Sequence, residues 1–419
     1  MTRDAKSPHD VVIVGAGIIG ITAGLALLKR GRGVTIIDRK GVAAEASSGN
    51  AAAFAFADIE PLASPGIILQ APKWLFDPLG PLSVPPSYSL KIAPWLWRFF
   101  LSASRSKFEA GTRAQANLMA LSRETLADLM ANTGTKRMLR WSGQLEAYES
   151  KALFERGKKA WLEKEKYGYR GQHLDNPAEV AKYQPGLGEN VVAATFTRDW
   201  ATISDPLDYA LALGEAFVKK GGVLETGAVE GIDADDHRVT LTLSDGRALT
   251  AEHAVIACGA WSKPLATALG DTIPLETERG YNTTLPKTAF DLRTMLIPVG
   301  HGFVISPLDD GVRIGGAVEL GGLKRKPDFR RANAMLKQAQ RYMPGLVTEG
   351  GRQWMGFRPS LPDTLPVISR SNASRRVVYG FGHGHLGLTQ SSGTAELIAG
   401  LITGGALEID INPFRADRF

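Results

Sequence analysis

The sequence predicts an α/β fold in two interleaved parts. One is a three-layer ββα part around a parallel sheet; the other is an α+β part built on an antiparallel sheet. Three observations carry this. An apolar run, Val11 to Val14, enters a glycine-rich turn, then an apolar helical run to Leu28 and a second apolar run, Val34 to Ile37, ending at Asp38. A similar order returns near the end of the chain: Val377 to Phe381, then Gly382 to Thr389, then an apolar run to Ile402. Between them, Ile273 to Val318 reads as several antiparallel strands with turns at Pro286, Pro298 and Asp310-Gly311.

The chain begins with a short lead, Met1 to Asp10, expected to be disordered. In the first turn the glycines fall at Gly15, Gly17 and Gly20, which is G-x-G-x-x-G. The first allows the turn, the second lets a pyrophosphate approach the backbone, and the third lets the helix pack closely on the sheet. Phosphates would sit on free N–H groups at the helix N-terminus, where the macrodipole favours negative charge. Asp38 lies about where an acid that binds ribose hydroxyls is expected. Strand, glycines, helix, second strand and acid in this order indicate a dinucleotide site in a Rossmann-like domain. Val11 to Leu28 carries no charge and is long enough to imitate a membrane span, and it follows Arg3 and Lys6 as a signal peptide would. It is broken by glycine, preceded by Asp4 and Asp10, and continues into the Asp38 strand, so we read it as soluble core.

A chain of 419 residues is long enough for two well-filled cores. The net charge of +6 comes without a long Lys/Arg run, so a nucleic-acid partner is not expected. It leans weakly toward anionic substrates or an anionic membrane surface. One cysteine, Cys258, excludes an intrachain disulfide, and seven histidines without an HExxH pattern give a metal site no support. A reducing, cytoplasmic location fits, with peripheral contact at the inner face of the membrane as an addition.

Ala44 to Phe56, with Ser47, Ser48 and Asn50 among small residues, reads equally as a cofactor-lining segment or an ordinary loop. Pro61 to Arg105 is dense in proline and aromatics, too proline-rich for one long helix. Its cluster KIAPWLWRFF is expected to pack between domains, a membrane-interface patch being the alternative. Helices are predicted over Arg113 to Met130, Ala152 to Tyr167 and Asn333 to Met343, and strands over Leu145 to Tyr148 and Glu189 to Phe196. Asp205-Pro206 starts a further helix as N-cap and first-turn proline; it stops at Gly221-Gly222. Val223 to Thr226, Gly231 to Ile232, Arg238 to Leu243 and Ala248 to Thr250 suggest a small sheet with a hairpin. Ala254 to Ala257 is a buried strand opening into CGAWS, Cys258 to Ser262. GFRPSLPDTLPVIS, Gly356 to Ser369, sets Arg358 in a proline-rigidified loop. GHGHLGLT, Gly382 to Thr389, places a second glycine turn at a helix N-terminus. A nicotinamide protein has no need of this second seat, whereas a flavin needs its reduced ring edge stabilised.

Together GAGIIG with Asp38, the S-S-G-N segment, DPLDYA, CGAWS, ERGY, RIGGAVE, GFRPSLPD and GHGHLGLT resemble the flavin-dependent amine oxidoreductases related to D-amino-acid oxidase, glycine oxidase and sarcosine oxidase. The look is nearest to bacterial D-amino-acid dehydrogenases, including those acting on D-proline or hydroxy-D-proline, and it covers nearly the whole chain. The resemblance implies an FAD-binding domain in three parts, 10–60, 191–265 and 351–419. A substrate domain takes most of 61–190 and then 266–350. It implies that Gly15, Gly17 and Gly20 hold the pyrophosphate and that Asp38, with Arg39 beside it, holds the adenosine ribose. Ser47, Ser48 and Asn50 run under the flavin, Val229 meets the adenine, and Gly259 and Trp261 flank the pyrophosphate. Gly384, His385, Leu386, Gly387 and Thr389 lie along the ring. Arg358 would grip the substrate carboxylate, which its planar fork suits. Tyr281 would close over that carboxylate or else pack in the core; Asn50 and His385 sit near the reacting end, His385 without the role of a base.

Two departures from the family pattern stand out. The acid after the second strand is often Glu rather than Asp38. No cysteine stands where some sarcosine oxidases attach flavin, so FAD is expected to be non-covalent. The implied reaction oxidises the amine carbon of a D-amino acid, a cyclic one included, to the imino acid by hydride transfer to flavin N5. A quinone or other carrier would then take the electrons. An oxidase using dioxygen and a non-catalytic flavin-bearing subunit are the rivals.

Overall fold

The computed structural model describes residues 10–66 and 82–419. The lead ahead of Asp10, and Pro72, Trp74, Phe76, Pro78 and Pro81 of the proline-rich stretch, lie outside the described residues.

The first strand, Val11–Val14, sits inside a six-stranded sheet. The order is Val223–Thr226, Val34–Asp38, Val11–Val14, His253–Ile256, Val377–Phe381, Val367–Arg370. All neighbours run parallel except the last pair. The four central strands are buried on both faces, which is why they read as near-continuous apolar runs, while the edge strand Val223–Thr226 is largely exposed. Alternate side chains go to different layers. Val11, Ile13, Ile36, Val255 and Val378 pack under the helices Ile18–Lys29, Pro206–Lys219 and Gly387–Thr403. Val12, Val14, Ile37, Ala254, Ile256 and Val377 pack against Ile232, Val239, Leu241 and Leu243. Those four belong to a three-stranded antiparallel sheet, Val229–Ala234, Val239–Leu243 and Ala248–Ala251. The period-two alternation thus produces the ββα sandwich. Val223–Thr226 belongs not to that small sheet, as its place in the sequence suggested, but to the edge of the parallel one. The Gly221-Gly222 turn brings it back beside Val34–Asp38.

The second part is built on a large mixed sheet. Its centre is Arg352–Ser360, Glu276–Pro286, Gly311–Glu319 and Phe303–Pro307, each antiparallel to the next. It continues through Met295–Pro298, which is antiparallel to Phe303–Pro307 and parallel to Gln144–Tyr148, so this sheet is not wholly antiparallel. The helix Arg330–Tyr342 packs Ala332, Met335 and Ala339 on its core. The predicted loop around Arg358 is instead the strand Arg352–Ser360, whose nine residues pair with Glu276–Thr284. Pro359 is tolerated because it falls on a strand with a partner on only one side.

KIAPWLWRFF forms one helix, Ser89–Ser102, with Pro94 inside it. It does not fill the space between domains as its composition suggested. Ile92 and Trp95 pack with Leu320, and Phe99 and Val318 close on that cluster, while Trp97 and Leu90 are 61% and 91% exposed. Among the described residues no helix is long and apolar enough to cross a membrane.

Candidate active site

A cavity of about 930 Å³ runs between the two parts. Two helix N-termini open on it, at Gly17–Ile18 and Leu386–Gly387; neither N-cap residue caps its helix, though Ser47 takes the Ile18 amide of the first. Free N–H groups at two such ends suit an electron-rich guest.

The first turn is shaped by contacts a side chain would destroy. Gly15 has φ 111°, and a Cβ there would lie 2.5 Å from the Ala257 carbonyl oxygen. Its N–H donates to the Ile37 carbonyl at 2.8 Å, fixing the turn between two strands. Gly20 stands off the cavity wall; a Cβ there would run into the Gly15 carbonyl, so it permits close packing rather than contact with a ligand. Gly17 lies on the wall.

Asp38 ends its strand with one oxygen accepting from Ala16 N at 2.9 Å and the other from Lys40 N and Gly41 N at 2.8 and 3.0 Å. Three amides hold the carboxylate at the cavity edge, and its remaining lone pairs suit hydroxyl donors. Arg39 lies over Trp261 at 4.0 Å and pairs with Glu45 at 2.6 Å. Val229, Gly259 and Trp261 line the same end.

Ala44 to Phe56 crosses the middle of the cavity. Ser47 Oγ accepts from Ile18 N at 3.0 Å. Ser48 is off the wall, its hydroxyl donating to the Glu45 carbonyl at 2.9 Å, so it closes a turn. Asn50 lies on the wall and its side chain braces its own loop, donating to Ser47 O and accepting from Ala52 N. Thr389, at the second helix start, accepts from Ala55 N at 3.0 Å. Gly384, Leu386 and Gly387 line the wall. The Gly384 amide donates to the Pro359 carbonyl at 2.7 Å, joining this loop to the Arg358 strand.

Arg358 reaches the cavity from that strand. Its guanidinium donates to the carbonyls of Ala317 at 2.9 Å and Gly316 at 3.4 Å, and among the described residues no carboxylate forms an ion pair with it. Burial pulls its pKa below the ordinary value, opposed by Glu278 across the ladder. A half-buried cation held by two neutral carbonyls has donors and charge left for an anionic ligand. Gly280 permits this pose: a Cβ there would collide with the guanidinium. Gly280→Ala should therefore shift Arg358 and lower kcat/KM roughly 10–100-fold while the flavin content stays normal. Steady-state kinetics beside an absorbance ratio would check it, and a normal kcat/KM would refute it.

Tyr281 borders the cavity, but its hydroxyl donates to Glu319 at 2.5 Å and accepts from Asp328 N at 3.1 Å. Glu319 also pairs with buried Arg279 at 2.9 Å. This network holds the Tyr281 hydroxyl between Glu319 and the Asp328 amide. His385 lies at the cavity rim with Nε2 3.2 Å from Asp58. Burial pushes Asp58 up, but the His385 ring beside it outweighs this and holds it low.

Three cavity residues escaped the reading of the sequence. Arg313 is buried, donates to Thr284 Oγ1 and the Asn50 carbonyl at 2.9 and 2.8 Å, and pairs with Asp205 at 3.3 Å. Asp205 meanwhile accepts from Leu207 N and Asp208 N, capping its helix, so one carboxylate joins DPLDYA to RIGGAVE. Asn282 donates to the Gly49 carbonyl at 2.7 Å. Only the shared motifs hinted at these, because the contacts link positions 108–263 residues apart.

The third is His383, almost fully buried, with Nε2 3.0 Å from Thr394 Oγ1. Burial pulls its pKa from 6.5 down to about 3, so the ring is neutral at physiological pH. The unfolded chain therefore binds a proton below pH 6.5 that the folded chain refuses. Its contribution is fully present above 6.5 and is lost as pH falls toward 3. Going from pH 7 to 5 should cost about 2 kcal/mol through this group alone. Urea unfolding at both pH values should show this loss, and His383→Gln should flatten it; an equal loss in the variant would exclude His383 as its source.

A family profile described as "FAD dependent oxidoreductase" matches residues 10–401. The chain is 31% identical to a D-amino-acid oxidase of Bradyrhizobium diazoefficiens over 98% of its own length and 99% of that protein's. It is 29% identical to a D-amino acid dehydrogenase of Rhizobium johnstonii, covering 98% and 99%. The fold matches the crystal structure of glycine oxidase from Geobacillus kaustophilus with a TM-score of 0.75, at 23% identity and coverage of 99% and 100%. The chain belongs to this family of FAD-dependent oxidoreductases, and its cofactor is FAD. The residues present fit that group: a glycine turn, an acid at the strand end, a small-residue crossing segment and a second open helix end lie along one cavity.

Proposed function

We propose that this family member is a D-amino-acid dehydrogenase that oxidises the amine carbon of its substrate to the imino acid. The observation that carries this is Arg358, a half-buried guanidinium at the cavity with no ion pair to a carboxylate among the described residues. The names of the two relatives support the D-amino acid. In this reading Gly15, Gly17 and Asp38 hold the pyrophosphate and ribose, with Arg39, Val229, Gly259 and Trp261 at the adenine end. Ser47, Asn50, Gly384, Leu386, Gly387 and Thr389 hold the ring. When bound, the flavin supplies the two-electron acceptor. Arg358 binds the substrate carboxylate by charge-assisted hydrogen bonds, and the Gly316 and Ala317 carbonyls fix its fork so that the amine carbon is turned toward the ring seat. The apolar wall, with Met295, Ile297 and Phe303, excludes water and lowers the pKa of the entering amine, so a side-chain base is not required. In this reading the substrate side chain, which can be cyclic as in D-proline, lies against Met295, Ile297 and Phe303.

FAD is held without a covalent bond in this reading. The Cys258 thiol donates to the Val14 carbonyl, and burial together with the Asp38 carboxylate pushes it up to about 12, so it is no nucleophile. Heat-denatured protein should release all its flavin to the supernatant; colour left in the precipitate would contradict this.

Electrons then pass to a quinone or other carrier, with the protein in peripheral contact with the membrane. The relative named as an oxidase makes dioxygen the rival acceptor. Anaerobic titration with D- and L-amino acids tests the main reading by loss of flavin colour. A dioxygen electrode beside a dye-reduction assay decides the acceptor: rapid dioxygen uptake would make it an oxidase, and no bleaching with any amino acid would end the catalytic reading.

A further inference from the structure

We propose that the helix Ser89–Ser102 is a lipid-docking element that seats the protein on an anionic bilayer surface. At about 3.6 residues per turn, two apolar faces emerge. Ile92, Trp95 and Phe99 face inward, onto Leu320 and Val318. Leu90, Ala93, Pro94, Trp97, Phe100 and Leu101 share the opposite face, and all six are exposed. Trp97 and Phe100 stack with centroids 5.5 Å apart, making one flat apolar platform. A soluble surface rarely leaves so contiguous a patch uncovered. Lys91 and Arg98 run along the edge between the faces, where their stems can lie beside lipid and their charges reach headgroups.

The charge pattern selects the occupant. From residue 82 to 108 there is no Asp or Glu, and Lys91, Arg98 and Lys107 are exposed cations, while Arg105 pairs with Glu109 at 2.9 Å. Exposed Trp and Phe rimmed by cations suit a membrane interface with anionic headgroups. Fourteen residues with two basic side chains cannot cross a bilayer, so the helix lies on it. Docking would have a consequence for the active site. The inward face rests on Val318, which lines the cavity and sits next to Ala317, whose carbonyl holds Arg358. The membrane therefore lies over the cavity wall, which brings a lipid-dissolved acceptor near. That last step rests on the carrier reading above; the docking itself does not.

The experiment is co-sedimentation of the flavin-loaded full chain with vesicles free of quinone. One set is phosphatidylglycerol mixed with phosphatidylcholine, the other phosphatidylcholine alone. Wild type should pellet with the anionic set, and Trp97→Glu with Leu101→Glu should lose binding roughly tenfold or more. Flavin content and dye-linked turnover should not change, since neither residue lines the cavity. Quenching of wild-type tryptophan fluorescence by brominated lipid, reduced in Trp97→Phe, gives a second readout that does not depend on the double variant folding. Absence of wild-type pelleting, equal pelleting of the variant, or equal binding to the neutral set would overturn the proposal. Self-association that the double variant abolishes, without vesicle binding, would overturn it in favour of a second copy. Dye-linked turnover with D-amino acids is measured without vesicles, so failure here leaves the catalytic reading standing, and failure there leaves this one.

Discussion

Gly15→Val is expected to give a folded but colourless protein. The residue has φ 111°, a region open to glycine and strained for a β-branched side chain, and its Cβ would meet the Ala257 carbonyl at 2.5 Å. The turn cannot keep its path with a side chain there. Moving it displaces the Gly15 amide from the Ile37 carbonyl and swings the helix start at Gly17–Ile18 away from Ser47 and the cavity. The loss should be complete at micromolar flavin, read as the absorbance of purified protein near the flavin band against that at the protein band. Circular dichroism separates lost binding from lost fold. A fully yellow variant would show that the pyrophosphate is held elsewhere.

Arg358→Ala should lower kcat/KM by about 2–5 kcal/mol, the cost of removing one partner of a buried charge pair. The flavin should remain, because Arg358 bonds to the substrate-sheet carbonyls and not to the glycine turns. Arg358→Lys should recover only part of the loss, since an ammonium cannot reproduce the planar fork held by Gly316 and Ala317. Comparing the variant on an amino acid and on the corresponding amine without its carboxylate separates the roles. If both substrates suffer alike, Arg358 supports the wall rather than the carboxylate.

Much of the cofactor-binding half was legible because its signals are local. Glycines at Gly15, Gly17 and Gly20, the acid at Asp38 and the Asp205-Pro206 cap each act within a few residues of themselves. The strand–turn–helix at Val377–Phe381 and Gly387–Thr403 follows the same logic. What depended on distant partners was harder to see. Arg358 was expected in a loop because two prolines flank its neighbourhood, yet nine ladder pairs with Glu276–Thr284 outweigh that local bias. Tyr281 was ambiguous because its hydroxyl is assigned by Glu319, far along the chain. Ser48 and Gly20 share the motifs of cavity residues, but backbone acceptors at Glu45 and Gly15 claim their space. His383 went unremarked beside His385, since only burial tells the two apart.

The Gly384 amide, hydrogen-bonded to the Pro359 carbonyl, gives the ring loop and the arginine strand a shared corner. A substitution that moves one moves the other, so this corner tolerates little drift. Room for new substrate preferences lies at Met295, Ile297 and Phe303, apolar lining residues that, among the described residues, no such hydrogen bond ties to the ring loop. An engineer who wants another side chain accepted should remodel that wall and leave the corner alone.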